Sequence, residues 1–201
     1  DGGSTDETPS LVNSYRLSAQ SSALSPVQWV TSPPGRARQM NEGAKASRGE
    51  ILLFLHADTQ LPDDAKTIID TTLADRQMVG GRFDVRFDRP SMWGTIISRM
   101  MNWRSRLSGL ATGDQALFVR RSIFEQMGGF ADMPLMEDIE FSRRLKQKGA
   151  TAALAATVTT SFRRWEQQGP LRTILLMWTI RFLYWVGISP SLLAHWYKAV
   201  R

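Results

Sequence analysis

The chemistry-bearing residues of this chain cluster at the ends of its most apolar segments. Ile51-Leu52-Leu53-Phe54-Leu55 is an unbroken apolar run of strand length, and His56-Ala57-Asp58 follows it directly. A run that is apolar at every position fits a strand buried on both faces, so the backbone at Asp58 is held rigidly at a strand end. In open α/β sheets, ligands bind at the carboxyl ends of strands. A carboxylate placed there can hold Mg2+ or Mn2+, which take oxygen ligands and accept substrate phosphates beside them. The same carboxylate can equally cap the next turn. Glu137-Asp138 stands at a helix start. There it can serve as a general base aimed into a cleft, or as a cap with a favourable charge–dipole interaction. Asp1 opens the turn Asp1-Gly2-Gly3-Ser4-Thr5-Asp6. His56 and His195 are the two histidines and lie far apart in the chain, which argues against a two-histidine metal site. The absence of cysteine excludes a thiol nucleophile, a cysteine-ligated zinc and a disulfide scaffold, and fits a reducing, cytoplasmic compartment.

The elements that must position these residues alternate along the chain. Leu11, Val12, Tyr15 and Ala19 recur at helical spacing and predict a helix over 6–20. Val27 to Val30 reads as a short strand, and Ala37, Met40 and Ala44 as a helix ending near Gly49. After the apolar strand, Pro62-Asp63-Asp64 starts a helix carrying Ala65, Ile68, Ile69 and Leu73. Gly80-Gly81 reads as a break. Phe83, Val85 and Phe87 then alternate with charged residues, as in a strand with one wet face. Residues 91–107 read as helix, 116–119 as strand, 123–127 as a helix stopped by Gly128-Gly129, 138–148 as helix and 151–158 as strand. Strands alternating with helices imply an α/β layered fold with a mostly parallel sheet and helices on both faces. The chain opens on a turn with no strand before it, so a first strand is expected to be missing, leaving a sheet edge that lowers solubility.

The charge is uneven. Of 25 Lys and Arg and 19 Asp and Glu, six bases and one acid lie after residue 159, so that tail carries +5 of the net +6. The body is nearly neutral, which argues against a nucleic-acid groove despite the pI near 10.2. Arginine outnumbers lysine 20 to 5, a bias that suits bidentate contact with phosphate or carboxylate.

Four segments then resemble family-two glycosyltransferases of GT-A fold. Asp1 to Thr8 looks like their nucleotide-binding turn. Gly49 to Asp58 looks like their strand ending in a D-x-D metal motif. Gly113 to Arg121, followed by Gly128-Gly129-Phe130, looks like their acceptor-side segment, and Met136 to Phe141 looks like their E-D motif. The four occur in the family order over about the first 150 residues. Gly35 to Asn41 and Leu55 to Thr59 also resemble a bacterial subfamily associated with radical-SAM and selenium-type domains and linked to arsenosugar biosynthesis.

The resemblance implies a GT-A domain over 1–160, truncated at its N-terminus, and an inverting, hexosyltransferase-like activity on a nucleotide-diphosphate sugar, typically a UDP-sugar, with an unknown hydroxyl acceptor. By position, it assigns Asp1 to the nucleotide base and Asp58 to the metal, Mn2+ or Mg2+. Asp138 matches the catalytic base, with Glu137 as its neighbour. Arg36 and Arg38 lie in the segment approaching the diphosphate, and Asp114 near the transferred sugar or acceptor. His56 replaces the first D-x-D aspartate, which lowers the negative charge around the metal and leaves an imidazole to meet a ribose hydroxyl. A non-catalytic nucleotide-sugar binder and a nucleotidyltransferase are the alternatives.

Residues 161–201 form a basic, aromatic helical tail. Residues 170–188 are apolar nearly all round but interrupted by Arg172 and Arg181, too short and too charged to span a bilayer. The tail fits an anchor on an anionic membrane surface, on the inner face of the membrane. It also fits a homodimer interface or a helix docked on the body.

Overall fold

The computed structural model describes residues 1–19 and 27–200, with backbone alone for 16–19 and 198–200. In chain order the elements are α1 (Thr8–Ala19), α2 (Arg36–Ala46), β1 (Ile51–Phe54), β2 (Thr59–Gln60), α3 (Ala65–Ala74), β3 (Met78–Phe87) and α4 (Met92–Ser108). A 3₁₀ turn (Gly113–Gln115) follows, then β4 (Leu117–Arg120), α5 (Arg121–Gln126), α6 (Glu137–Leu145), β5 (Ala150–Thr160), α7 (Arg163–Gln168), α8 (Pro170–Trp185) and α9 (Pro190–Val200). The expected helix over 6–20 begins two residues later, and its last residue lies outside the described residues.

The strands form one sheet in the order β1-β4-β3-β5-β2. The α/β class holds, but the sheet is mixed. The β3–β5 pair is parallel, whereas β1–β4, β4–β3 and β2–β5 are antiparallel. A continuous apolar run reports that both faces of a strand are covered, not which way its neighbour runs, so strand direction was invisible in the pattern. Both faces are covered as expected. Leu52, Leu117 and Val119 pack with Ala37, Phe124, Phe141 and Leu145 from α2, α5 and α6 on one face. Phe83, Val85, Phe118 and Val158 pack with Ala65, Ile69 and Leu73 of α3 on the other. Val119 and Phe118 are adjacent and belong to opposite faces, as the two-residue period of a strand requires.

Two local readings change. Val27 to Val30 forms no strand. Instead the Asp1 amino group donates to Val30 O at 2.6 Å and Ser32 N donates to Asp1 O at 2.9 Å, a single-residue pairing. Prolines at 26 and 33 flank the segment and bring no N–H to a ladder. Gly80-Gly81 does not break the chain but lies inside β3. A Cβ at Gly80 would overlap Phe118 O of β4, and one at Gly81 would come within 2.6 Å of Ala152 O in β5. The pair lets three strands approach closely.

Residues 163–200 pack back onto the body. Ile180 of α8 and Leu193 of α9 are buried against Met136 and Ile139 at the start of α6. The other side of α8 is open: Leu171, Leu175, Trp178, Phe182 and Trp185 are all at least 60% exposed. Among the described residues, no helix is long and apolar enough to cross a membrane.

Candidate active site

The turn after β1 is closed by Thr59 N donating to His56 O at 3.1 Å. Thr59 then opens β2, and its buried hydroxyl bonds to that of Thr160 at the end of β5, 2.9 Å away. Asp58 is thereby fixed between two strands. Its carboxylate is exposed, lines a cavity of about 310 Å³, and among the described residues makes no hydrogen bond or ion pair.

The opposite wall comes from the 3₁₀ turn and α6. Thr112 N donates to the buried Gln115 Oε1 at 3.1 Å and Gln115 N donates to Thr112 O at 2.9 Å, which rigidifies the turn. Gly113 N donates to Asp138 Oδ2 at 2.9 Å, and Ile139 N to Asp138 Oδ1 at 2.7 Å. Helix α6 begins after Met136, whose φ of 69° is unusual for a residue with a side chain. That strained entry aims Glu137 and Asp138 toward the cavity, and such outliers persist where the surrounding structure enforces them.

A chain of polar contacts links the two walls. Arg36 Nη2 donates to His56 Nε2 at 2.6 Å, and His56 Nδ1 lies 3.0 Å from Asp114 Oδ1. A guanidinium has no acceptor, so Nε2 must accept and the imidazole proton sits on Nδ1, pointing at Asp114. Arg36 Nε also lies 3.2 Å from Glu137 Oε1, an ion pair with an angle too poor for a hydrogen bond. The Glu137 side chain is 2% exposed. Burial pushes its carboxyl above the usual value, against the pull of Arg36 and with the help of the Asp138 charge. For Asp114, burial acts upward, but the His56 hydrogen bond and the charges of Arg36 and Arg164 outweigh it and hold the carboxyl low. A Cβ at Gly113 would overlap both His56 Nε2 and Arg36 Nη2, so glycine is what allows this contact chain.

Arg36, His56, Asp58, Asp114, Glu137 and Asp138 therefore share one cavity. Asp1 and Arg38 are not among its lining residues. The Asp1 carboxylate is engaged by its own turn, accepting from Gly3 N at 2.8 Å, Ser4 N at 2.9 Å and Ser4 Oγ at 2.5 Å. Arg38 makes a bidentate pair with Asp132, both contacts at 2.8 Å. With Asn41, which bonds both backbone groups of Phe130 at 2.9 Å, it tethers the 129–132 segment to α2. The cavity is completed by residues that the motifs did not single out for it: Thr112, Thr160, Arg163, Arg164, Trp165, Met177 and Arg181, among others. The signal for Arg181 was present. A charge interrupting an apolar helix needs a polar or wet neighbour, here the cavity.

A divalent cation would find one uncommitted carboxylate here, Asp58. Both His56 nitrogens are already engaged, and among the described residues no cluster of three or more His, Asp or Glu has metal-holding geometry. One carboxylate is enough for Mg2+ or Mn2+ when substrate phosphates and water supply the remaining ligands.

A polar cavity at the strand ends of an α/β sheet, with paired acids at a helix start, lies where such sheets bind their ligands. Residues 1–128 match Glycosyl transferase family 2, and the chain belongs to that family. Its fold is similar to that of mannosyltransferase PcManGT from Pyrobaculum calidifontis, solved in complex with GDP-Man and Mn2+, with a TM-score of 0.61 at 19% identity. That similarity covers 100% of this chain and 59% of that one. No curated protein matches the sequence.

Proposed function

We propose that the protein is an inverting glycosyltransferase that moves a sugar from a nucleotide-diphosphate donor to an acceptor hydroxyl. The observation that carries this reading is the convergence of Asp58 and Asp138 on one cavity in a chain of this family. Asp138 takes the proton of the acceptor hydroxyl while that oxygen attacks the anomeric carbon. The bond to the diphosphate breaks and its electron pair leaves with the phosphate. A carboxylate offers about four lone-pair positions, so the two backbone N–H groups on Asp138 orient it and leave room for the hydroxyl. Asp58 would hold Mn2+ or Mg2+, which when bound neutralises charge on the leaving diphosphate. His56, taken on both nitrogens, acts by fixing Arg36 and Asp114 and not by meeting the donor directly. The likeness of Gly35 to Asn41 and Leu55 to Thr59 to the radical-SAM-associated subfamily supports a place in that branch.

The test is incubation of the full chain with UDP-sugars and GDP-sugars plus Mn2+, following release of the nucleoside diphosphate. Release that EDTA abolishes and that inverts the anomeric centre supports the reading. Tight donor binding without turnover would instead favour the non-catalytic binder.

The open face of α8 supports attachment to an anionic membrane surface. Its exposed residues recur at helical spacing, and the exposed Arg163 and Arg172 lie on the same tail. Trp178 and, on α4, Met100 both border the cavity, so the apolar face adjoins its mouth. Flotation with vesicles containing phosphatidylglycerol, but not with neutral vesicles, is the expected result. Lipid-independent dimerisation in solution would assign the face to a second copy of the chain.

A further inference from the structure

Two apolar stripes meet at the mouth of the cavity. On α4, Met92, Ile96, Met100, Trp103 and Leu107 are exposed at steps of three and four residues, the spacing of one helix face. On α8, Leu171, Leu175, Trp178, Phe182 and Trp185 repeat those steps. Met100 and Trp178 belong both to the stripes and to the cavity lining, so each stripe runs into the cavity that holds Asp138. What α4 and α8 add to that lining is mostly apolar, with Met101 and Met177 beside these two.

Both helices are basic. Helix α4 carries Arg99, Arg104 and Arg106, α8 carries Arg172 and Arg181, and neither has an Asp or Glu. A second copy of the chain would bring basic helices together with no acid on either to offset them, a costly juxtaposition. An anionic lipid surface suits both features, since its acyl region takes the stripes and its phosphates meet helices without negative side chains. The cavity is about 310 Å³, at the small end for a ligand cleft. It has room for a donor and a headgroup, while acyl chains would stay along the stripes.

We infer that the acceptor hydroxyl belongs to the headgroup of an anionic membrane lipid, delivered to Asp138 between α4 and α8 with its acyl chains left in the bilayer. The inference rests on the proposed sugar transfer and names its acceptor. The headgroup oxygen bonds to the anomeric carbon, the bond from that carbon to the diphosphate breaks with its electron pair, and Asp138 takes the hydroxyl proton. The products are a glycolipid held in the membrane and a free nucleoside diphosphate.

The test gives the full chain a UDP-sugar or GDP-sugar labelled in the sugar, Mn2+, and vesicles of phosphatidylcholine with one of two anionic lipids. Phosphatidylglycerol has free headgroup hydroxyls; phosphatidic acid has no alcohol group. Both vesicles should float the chain, and label should pass into the organic extract only with phosphatidylglycerol. Leu175→Glu and Trp103→Glu change stripe residues outside the cavity lining. Each should keep donor affinity and cut flotation and lipid labelling at least about tenfold, because a carboxylate is strongly disfavoured in the acyl region. Label passing to free glycerol as fast as to phosphatidylglycerol would overturn the inference. So would nucleoside diphosphate release without lipid labelling, or labelling undiminished in both variants; each of these leaves the transferase reading standing. Absent donor binding or absent turnover in every arm would overturn that reading, and the lipid acceptor with it.

Discussion

Gly113 donates its backbone N–H to Asp138 Oδ2 at 2.9 Å, across 25 residues of sequence. The bond joins the 3₁₀ turn to the first turn of α6 and sets where the carboxylate points. On its other side, Gly113 leaves no room between itself and the Arg36–His56 contact. Gly113→Ala should therefore displace that contact and shift Asp138 while leaving the sheet untouched. A misplacement on the order of 1 Å costs about 10²-fold in rate. The expected outcome is a kcat/KM loss of at least about tenfold with an unchanged far-UV circular dichroism spectrum.

Asp138→Asn keeps the shape but cannot take a proton, and its single oxygen can accept from only one of the Gly113 and Ile139 N–H groups. General-base catalysis is worth about 10²–10⁴-fold. Single-turnover rates should fall by at least about 10²-fold with little change in donor affinity. Near-parental turnover would remove Asp138 from the proposed mechanism.

Glu137 tests the burial of the acid pair. Its folded-state carboxyl is raised by burial, so the fold favours the protonated form. Such a group contributes stability that is fully present below the unfolded-state pKa and lost as pH rises through the folded one. Glu137→Gln mimics the protonated state. It should raise the unfolding temperature relative to the parent at neutral pH, and the gain should vanish below about pH 4, under the ordinary glutamate pKa. A variant less stable than the parent at pH 7 would show that the Arg36 ion pair dominates.

Gly81→Ala probes the sheet rather than the site. The added Cβ would meet Ala152 O at 2.6 Å and the Phe118 ring. Overpacking in a tight interior costs about 1–3 kcal/mol. A lowered denaturation midpoint with an unchanged m-value is expected, since the packing changes but the surface exposed on unfolding does not.

Much of the site was legible in one dimension. His56-Ala57-Asp58 and Glu137-Asp138 lie beside their own apolar elements, and local sequence determines where a strand ends and a helix begins. The helix limits were readable to a few residues because burial repeats every three to four positions along one face. Gly113 and Met136 were not legible as site residues, because their roles depend on what sits opposite: a glycine beside Arg36 and His56, a left-handed residue that turns α6.

Tertiary structure alone decided three things. It made the sheet mixed, since an apolar run does not encode the direction of its neighbour. It gave the Arg38 side chain to Asp132, 94 residues further along the sequence, because a charge takes whichever opposite charge the fold brings beside it. It folded α7 and α8 over Asp138, so that arginines counted in the sequence as tail charge became part of a cavity wall. Composition records how many charges a chain has; only packing determines which of them share a cavity.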